Sequence, residues 1–229
     1  MKIFSVLLLF AGLALFTSCE LNQLDNYDPP TAGLYGRFID EATGEPVEQD
    51  IIRGTVIELI EHGYDPVTPQ YLIVKNDGSY ANTRLFANTY TVQPVRGNFK
   101  VVEAQEVKIE GQTELNFLVT PYIRVKEATI TREGDLVTAT FKLEQTSVSN
   151  VLKVGLYAHP DPHVGEPMHL EKEEQNVSTA VDPNQVFTLE MDLSTTPLES
   201  GTTYFFRIGA LIDVPEAKYN YAPAVAVDY

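Results

Sequence analysis

The tightest constraint on what this chain can fold into is the two-residue rhythm of "LVTATFKLE", residues 136–144. Val137, Ala139, Phe141 and Leu143 alternate with Thr138, Thr140 and Lys142, so an extended segment here has one apolar face and one wet face. Strand-like runs recur as "TVIELI" (55–60), "QYLIVK" (70–75), "TYTVQPV" (89–95), "EVKI" (106–109), "LNFLVT" (115–120), "LKVGLYA" (152–158), "FTLEMDL" (187–193) and "TYFFRIGALI" (203–212). Turn residues separate them and no segment sustains a helical period. Short strands at this spacing predict an all-β chain built of sandwiches.

The amino terminus follows other rules. Met1 and Lys2 precede an almost wholly apolar stretch, Ile3 to Phe16, and Thr17-Ser18 supplies small residues ahead of Cys19. That is the layout of a secretory signal, and it is short for a spanning helix. Cys19 is the single cysteine of 229 residues. In an exported chain it has no internal disulfide partner and would be a reactive liability. "FTSCE" resembles the lipobox of bacterial lipoproteins, although Leu15 stands one place earlier than that pattern has it. The resemblance implies a signal peptide at 1–18, lipid attachment at Cys19 and membrane anchorage through acyl chains. The alternative is a plain secretory signal with an incidental cysteine. Residues 19–30, with Asp25, Asp28 and the pair Pro29-Pro30, read as a solvated tether. Their acidity resembles the export signal of Bacteroidota-type surface lipoproteins, which implies an outer-membrane location facing outward.

Sixteen basic against 32 acidic side chains give a formal net charge of −16. A chain this acidic lacks the basic face that phosphate binding needs, which excludes nucleic acid as a partner class. About 200 residues remain after the tether, enough for two domains with their own cores. We place the division near Pro121-Tyr122, giving domains at 31–121 and 122–229.

In the first domain, "GLYGRFIDEATGEPV" (33–47) sets a strand before a turn, "KNDGSY" (75–80) offers Asp-Gly as a hairpin turn, and "LFANTYTVQPV" (85–95) leads into a strand. In that order the pieces resemble the carboxypeptidase-regulatory-like, or transthyretin-like, β-sandwich. Asn88 stands where that family often has Gly, a change that the left-handed tolerance of Asn would accommodate. The second domain reads as a seven-strand immunoglobulin- or fibronectin-like sandwich. It carries one long polar insertion at 159–185, and a final hairpin of "TTYFFRIGALID" with "KYNYAPAVAVDY". Lipid cysteine, transthyretin-like domain, "YFFRIGA" and "YNYAP" together resemble two-domain Bacteroidota lipoproteins of unknown function, typically encoded beside Sus-type glycan-uptake systems.

Motifs for chemistry are sparse. His159, His163 and His169 share a segment with Asp161 and Glu166, residue types that hold zinc. Pro160, Pro162 and Pro167 rule out a regular helix through them, so a solvated loop is expected and no metal. "NDGSY" lacks the further ligands of a calcium loop. There is no Gly-x-Ser-x-Gly elbow, and 32 carboxylates make any acid pair uninformative. We therefore expect a non-enzymatic protein without cofactors.

Binding is the expected role. Sugars stack C–H faces on aromatic rings while their hydroxyls bond to polar side chains. Twelve Tyr and 11 Phe are present and Trp is absent. The candidates are Tyr64 in "EHGYDP", and Tyr219 and Tyr221 in "DVPEAKYNYAPA", whose i, i+2 spacing puts both rings on one side of an extended segment. Asn220 and Lys218 would flank them with donors. The resemblance implies an accessory polysaccharide- or oligosaccharide-binding protein working with a Sus-type transporter. The alternative is a structural subunit that docks onto an outer-membrane transporter or neighbouring lipoprotein.

Overall fold

The computed structural model describes residues 28–229; the reading of Cys19 lies outside them. Thr31–Tyr229 forms one compact unit. Its first sandwich contains β1 (Ala32–Asp40), β2 (Val56–Glu61), β3 (Gln70–Ile73), β4 (Ser79–Leu85), β5 (Asn88–Arg96), β6 (Gln105–Ile109), β7 (Gln112–Glu114) and β8 (Phe117–Val119). One sheet runs β4-β1-β7 with β8 also on β1, and the other runs β3-β2-β5-β6. Between them Phe38 stacks on Phe99 and Phe117 at centroid distances of 5.0 and 4.9 Å. The strand β1 takes β7 and then β8 in parallel along one edge and in one register, with the ladder interrupted at Leu115 and Asn116. Gly36 permits the close approach at this interruption, because a Cβ there would run into the Leu115 carbonyl.

The second sandwich contains β9 (Ile123–Glu133), β10 (Leu136–Gln145), β11 (Val151–His159), β12 (Glu171–Thr179), β13 (Val186–Asp192), β14 (Thr203–Ile212), β15 (Asn220–Tyr221) and β16 (Val225–Asp228). A sheet β13-β10-β9 faces a sheet β12-β11-β14, and β14 is also paired by both β15 and β16. Alternation places Val137, Ala139, Phe141 and Leu143 in the core, where Phe141 stacks on Phe187 at 5.5 Å. The all-β, two-sandwich expectation holds.

Three local expectations are corrected. The Asp77-Gly78 turn has the positive φ expected at glycine, +74°, but β3 and β4 belong to different sheets. It is a crossing between layers and not a hairpin. The positive-φ non-glycine residues among the described ones are Glu127, Ser178 and Glu216. Asn88 is not one of them; its amide instead donates to Glu61 Oε1 and the His62 carbonyl, both at 3.0 Å. Finally, the segment 159–185 is not all insertion, because residues 171–179 form β12 on the edge of the sheet. Its sequence "EKEEQNVST" carries no apolar alternation, since an edge strand takes hydrogen bonds from one neighbour and its charges discourage further pairing.

Candidate functional site

The strand β14 shows how the second sandwich meets the first. Tyr204, Phe206, Ile208, Ala210 and Ile212 point into the core. Alternation sends Arg207 to the opposite face, where it is 1% exposed. A buried guanidinium needs partners for its fork of donors. Arg207 Nη1 donates to the Gln49 carbonyl at 2.9 Å and the Val164 carbonyl at 3.2 Å, and Nε donates to the Ala222 carbonyl at 3.0 Å. Nη2 meets Glu48 Oε2 at 2.5 Å. Burial pulls the Arg207 pKa down, with Glu48 opposing that shift; burial likewise pushes the Glu48 carboxyl up against the pull of Arg207. The 2.5 Å geometry decides that both are charged at neutral pH.

Around this pair lies a polar seam between the sandwiches. Asn98 Nδ2 donates to the carbonyls of Glu48 and Tyr219 at 2.8 and 2.9 Å. Gln49 bridges Asn98 at 3.1 Å and Thr55 at 2.6 Å. Tyr221 donates its hydroxyl to Asp50 Oδ2 at 3.0 Å. At one margin Arg124 holds Asp40 through two donors and Glu144 at 2.6 Å, and the bond from Arg124 keeps the Asp40 carboxyl below its usual range.

Two clefts flank the segment 218–223, each walled by both sandwiches. The larger, of about 550 Å³, has Pro46, Val47, Pro121, Val125 and Pro223 among its apolar lining. Its lining also carries four carboxylates (Asp40, Glu45, Glu48 and Glu127) and two cations (Arg124 and Lys126). Glu127 reaches it from a β-bulge, where two residues of β9 oppose Phe141 and Glu127 adopts φ +50°. The smaller cleft, of about 240 Å³, is edged by Asp50, Arg53, Lys153, Glu166 and the segment's own side chains.

The five sequence candidates fall into three groups. Lys218, Tyr219 and Tyr221 border the smaller cleft, and Asn220 and Tyr221 the larger one. Tyr219 and Tyr221 do share a side and stack, at 5.7 Å and 26°. The expectation that they form an open platform in a loop is nevertheless corrected. Tyr219 is 8% and Tyr221 7% exposed, and the Arg207 guanidinium covers the Tyr221 ring at 4.3 Å. Pairing of Asn220–Tyr221 with β14 draws the segment inward. Asn220 is 3% exposed and is spent on the seam, donating to the Asn98 carbonyl at 2.8 Å and accepting from Ile123 N–H at 3.2 Å. Tyr64 stands apart from both clefts and is 62% exposed.

The histidines of 159–169 serve local turns. His159 Nδ1 accepts from Asp161 N–H, His163 pairs with Asp161 at 2.6 Å, and His169 Nδ1 lies 2.7 Å from the Glu166 carbonyl. Among the described residues no three ligand-type side chains converge.

Sequence reasoning missed Arg207, Asn98, Gln49 and Arg124. One signal was available: an arginine in the middle of "TYFFRIGALI" has to be satisfied by something distant.

A sequence model described as the "Protein of unknown function (DUF3823) N-terminal domain" matches residues 32–120, and the "Domain of unknown function (DUF3823_C)" matches residues 123–226. The chain belongs to the DUF3823 family. Among solved structures, this DUF3823 protein is similar to one from Bacteroides uniformis described as a candidate carbohydrate-binding protein. The two are 36% identical, with a TM-score of 0.79, over 87% of this chain and 100% of that one. A DUF3823 family protein from Bacteroides uniformis, 19% identical, shares the fold at a TM-score of 0.74 over 87% and 99% of the two chains. One from Bacteroides ovatus, 23% identical, does so at 0.72 over 86% and 98%. No curated protein matches the chain.

Proposed function

We propose that this DUF3823 protein is a non-enzymatic glycan-binding lipoprotein, anchored through Cys19 at the outer face of the outer membrane, which captures saccharide for a Sus-type uptake system. The observation that carries the binding role is the cleft of about 550 Å³ between the sandwiches. Its lining combines prolines and valines with charged side chains, the combination that a sugar's C–H faces and hydroxyls require. The seam behind it holds the two walls at a fixed separation, so little ordering cost opposes binding. The 36% identical relative described as a candidate carbohydrate-binding protein supports the same class. Anchorage and outward location rest on the resemblance of "FTSCE" to a lipobox and on the acidic tether.

Isothermal titration of residues 20–229 against a polysaccharide panel tests the reading. Glu45→Gln and Lys126→Ala, at the cleft, are expected to weaken binding, and Tyr64→Ala to leave it unchanged. Binding that survives the first two and is lost with Tyr64 moves the site to the loop end of the first sandwich. The alternative, a subunit docking onto a transporter or neighbouring lipoprotein, draws on Tyr71 and Ile73, which project 57% and 61% exposed from edge strand β3.

A further inference from the structure

Charge pairing inside the larger cleft divides its donors from its acceptors. Both cations on its walls already have carboxylate partners. Arg124 is held by Asp40 and Glu144, and Lys126 meets Glu144 at 3.2 Å. The nearby Arg207 is buried and spent on Glu48 and three carbonyls. The acceptors are only partly used. An ionised carboxylate offers about four lone-pair sites. Glu48 uses Oε2 for Arg207 and Glu127 uses Oε2 for Lys142 at 2.7 Å, while the Oε1 atom of each has no partner among the described residues. The Glu45 carboxylate has none on either oxygen, although its backbone N–H is held by Thr43.

We infer that the cleft takes a glycan free of carboxylate and sulfate groups and rejects acidic glycans. This rests on the glycan-binding reading above and names its ligand class. Carboxylate oxygens accept from hydroxyls and gain the added strength of charge-assisted hydrogen bonds. An acidic sugar would bring a further negative charge beside four carboxylates and only two cations, both already paired, in a chain whose formal net charge is already −16. The smaller cleft mixes committed and free charges of both signs. The orphaned amide of Asn76 borders neither cleft. Nothing on the exposed face of β3 identifies what covers it.

The test is calorimetric titration of residues 20–229 at low and at physiological ionic strength. The neutral probes are xylo-, cello-, malto- and mannohexaose; the acidic probes are hexagalacturonate and a heparin hexasaccharide. The expected result is that at least one neutral hexaose binds with little salt dependence and neither acidic probe binds. Glu45→Gln should weaken the neutral ligand about ten-fold, the effect of one charge-assisted hydrogen bond. Binding of an acidic probe that is lost in Lys126→Ala overturns the assigned class while upholding the glycan reading. Failure of every probe, with the fold intact by circular dichroism, overturns the glycan reading and the assignment with it.

Discussion

Asn98 and Asn220 clasp across the two sandwiches: Asn220 Nδ2 donates to the Asn98 carbonyl at 2.8 Å, and Asn98 Nδ2 donates to the carbonyl beside Asn220, that of Tyr219, at 2.9 Å. Both side chains are buried, so truncating Asn98 strips the Tyr219 carbonyl of its donor, whereas truncating Asn220 strips the Ile123 N–H of its acceptor and leaves the Asn98 carbonyl with the Tyr122 N–H. Asn98→Ala takes the side-chain donor from the carbonyls of Glu48 and Tyr219 and one of two acceptors from the Gln49 amide, at a cost of about 3 kcal/mol. The urea midpoint should fall accordingly with the slope unchanged. A loss below 1 kcal/mol means that water replaces the clasp.

Arg207 makes a second, stronger demand. Its partners Glu48 and Gln49 lie in the first sandwich, and Val164 and Ala222 in the second. Each sandwich has its own apolar core, so each has the means to unfold separately if the seam fails. Scanning calorimetry of residues 31–229 should show one transition. Arg207→Leu leaves Glu48 as an uncompensated charge, costs about 3–5 kcal/mol and should split the transition in two. Two transitions in the parent protein would show that the seam does not couple the sandwiches.

How much of this was legible in the sequence follows from distance along the chain. Alternation in 136–144 identifies β10 and its core face, because strand burial repeats every two residues. The inward turn of Tyr219 and Tyr221 was not legible. Tyr221 is covered by Asp50, which approaches only after the sandwiches have packed, and by Arg207 of the neighbouring strand β14, while Tyr219 lies against Tyr157 and Lys153 of β11. Local pattern gives the side on which the two rings lie and not what lies over it. The strand β12 escaped because its one stabilising neighbour, β11, precedes it across an eleven-residue loop, and its own residues are those of a solvated segment. Composition excluded a phosphate-binding face, but which acids keep a free oxygen depends on pairings such as Lys142 with Glu127 across the bulge.

Acid sensitivity follows from carboxylates held below their ordinary range. Burial would raise Glu174, but bonds from Lys153, Lys172 and Tyr157 outweigh it and bring its pKa to about 2. The Arg124 bond lowers Asp40, and bonds from Lys126 and Arg124 lower Glu144. A group with a folded pKa below its unfolded value contributes stability above the unfolded pKa and loses it as pH falls through the folded one. Melting temperature should therefore decline from about pH 4.5 toward pH 2. Glu48, which burial raises, runs the other way and blunts the decline. Glu174→Gln should flatten the slope across that window; an unchanged slope assigns the acid transition to other groups.

The anchor is tested by Cys19→Ala, which removes the proposed site of acylation. Acyl chains contribute about 0.8 kcal/mol for each buried methylene, so the parent protein should pellet with membranes. The variant should appear in the soluble exported fraction, and palmitate labelling should vanish with it. Membrane attachment that persists without label would dismiss the lipobox.

Glu127 links fold to binding. Its φ of +50° lies in the left-handed region, which costs a residue with a Cβ about 1 kcal/mol, and its pair with Lys142 is exposed on the glutamate side. Glycine would suit that backbone better, so Glu127→Gly should leave stability unchanged or raise it by up to about 1 kcal/mol. Glu127→Val, β-branched in the same conformation, should lower it by more than 1 kcal/mol. A strained residue retained where glycine would be at least as stable implies a use for its side chain. In the cleft that use is Oε1, the oxygen that Lys142 does not occupy. Glu127→Gly should therefore weaken the neutral hexaose several-fold while the melting temperature holds or rises. If stability and affinity fall together, the carboxylate serves the fold alone, and the polar lining must be assigned to Glu45 and Glu48 without it.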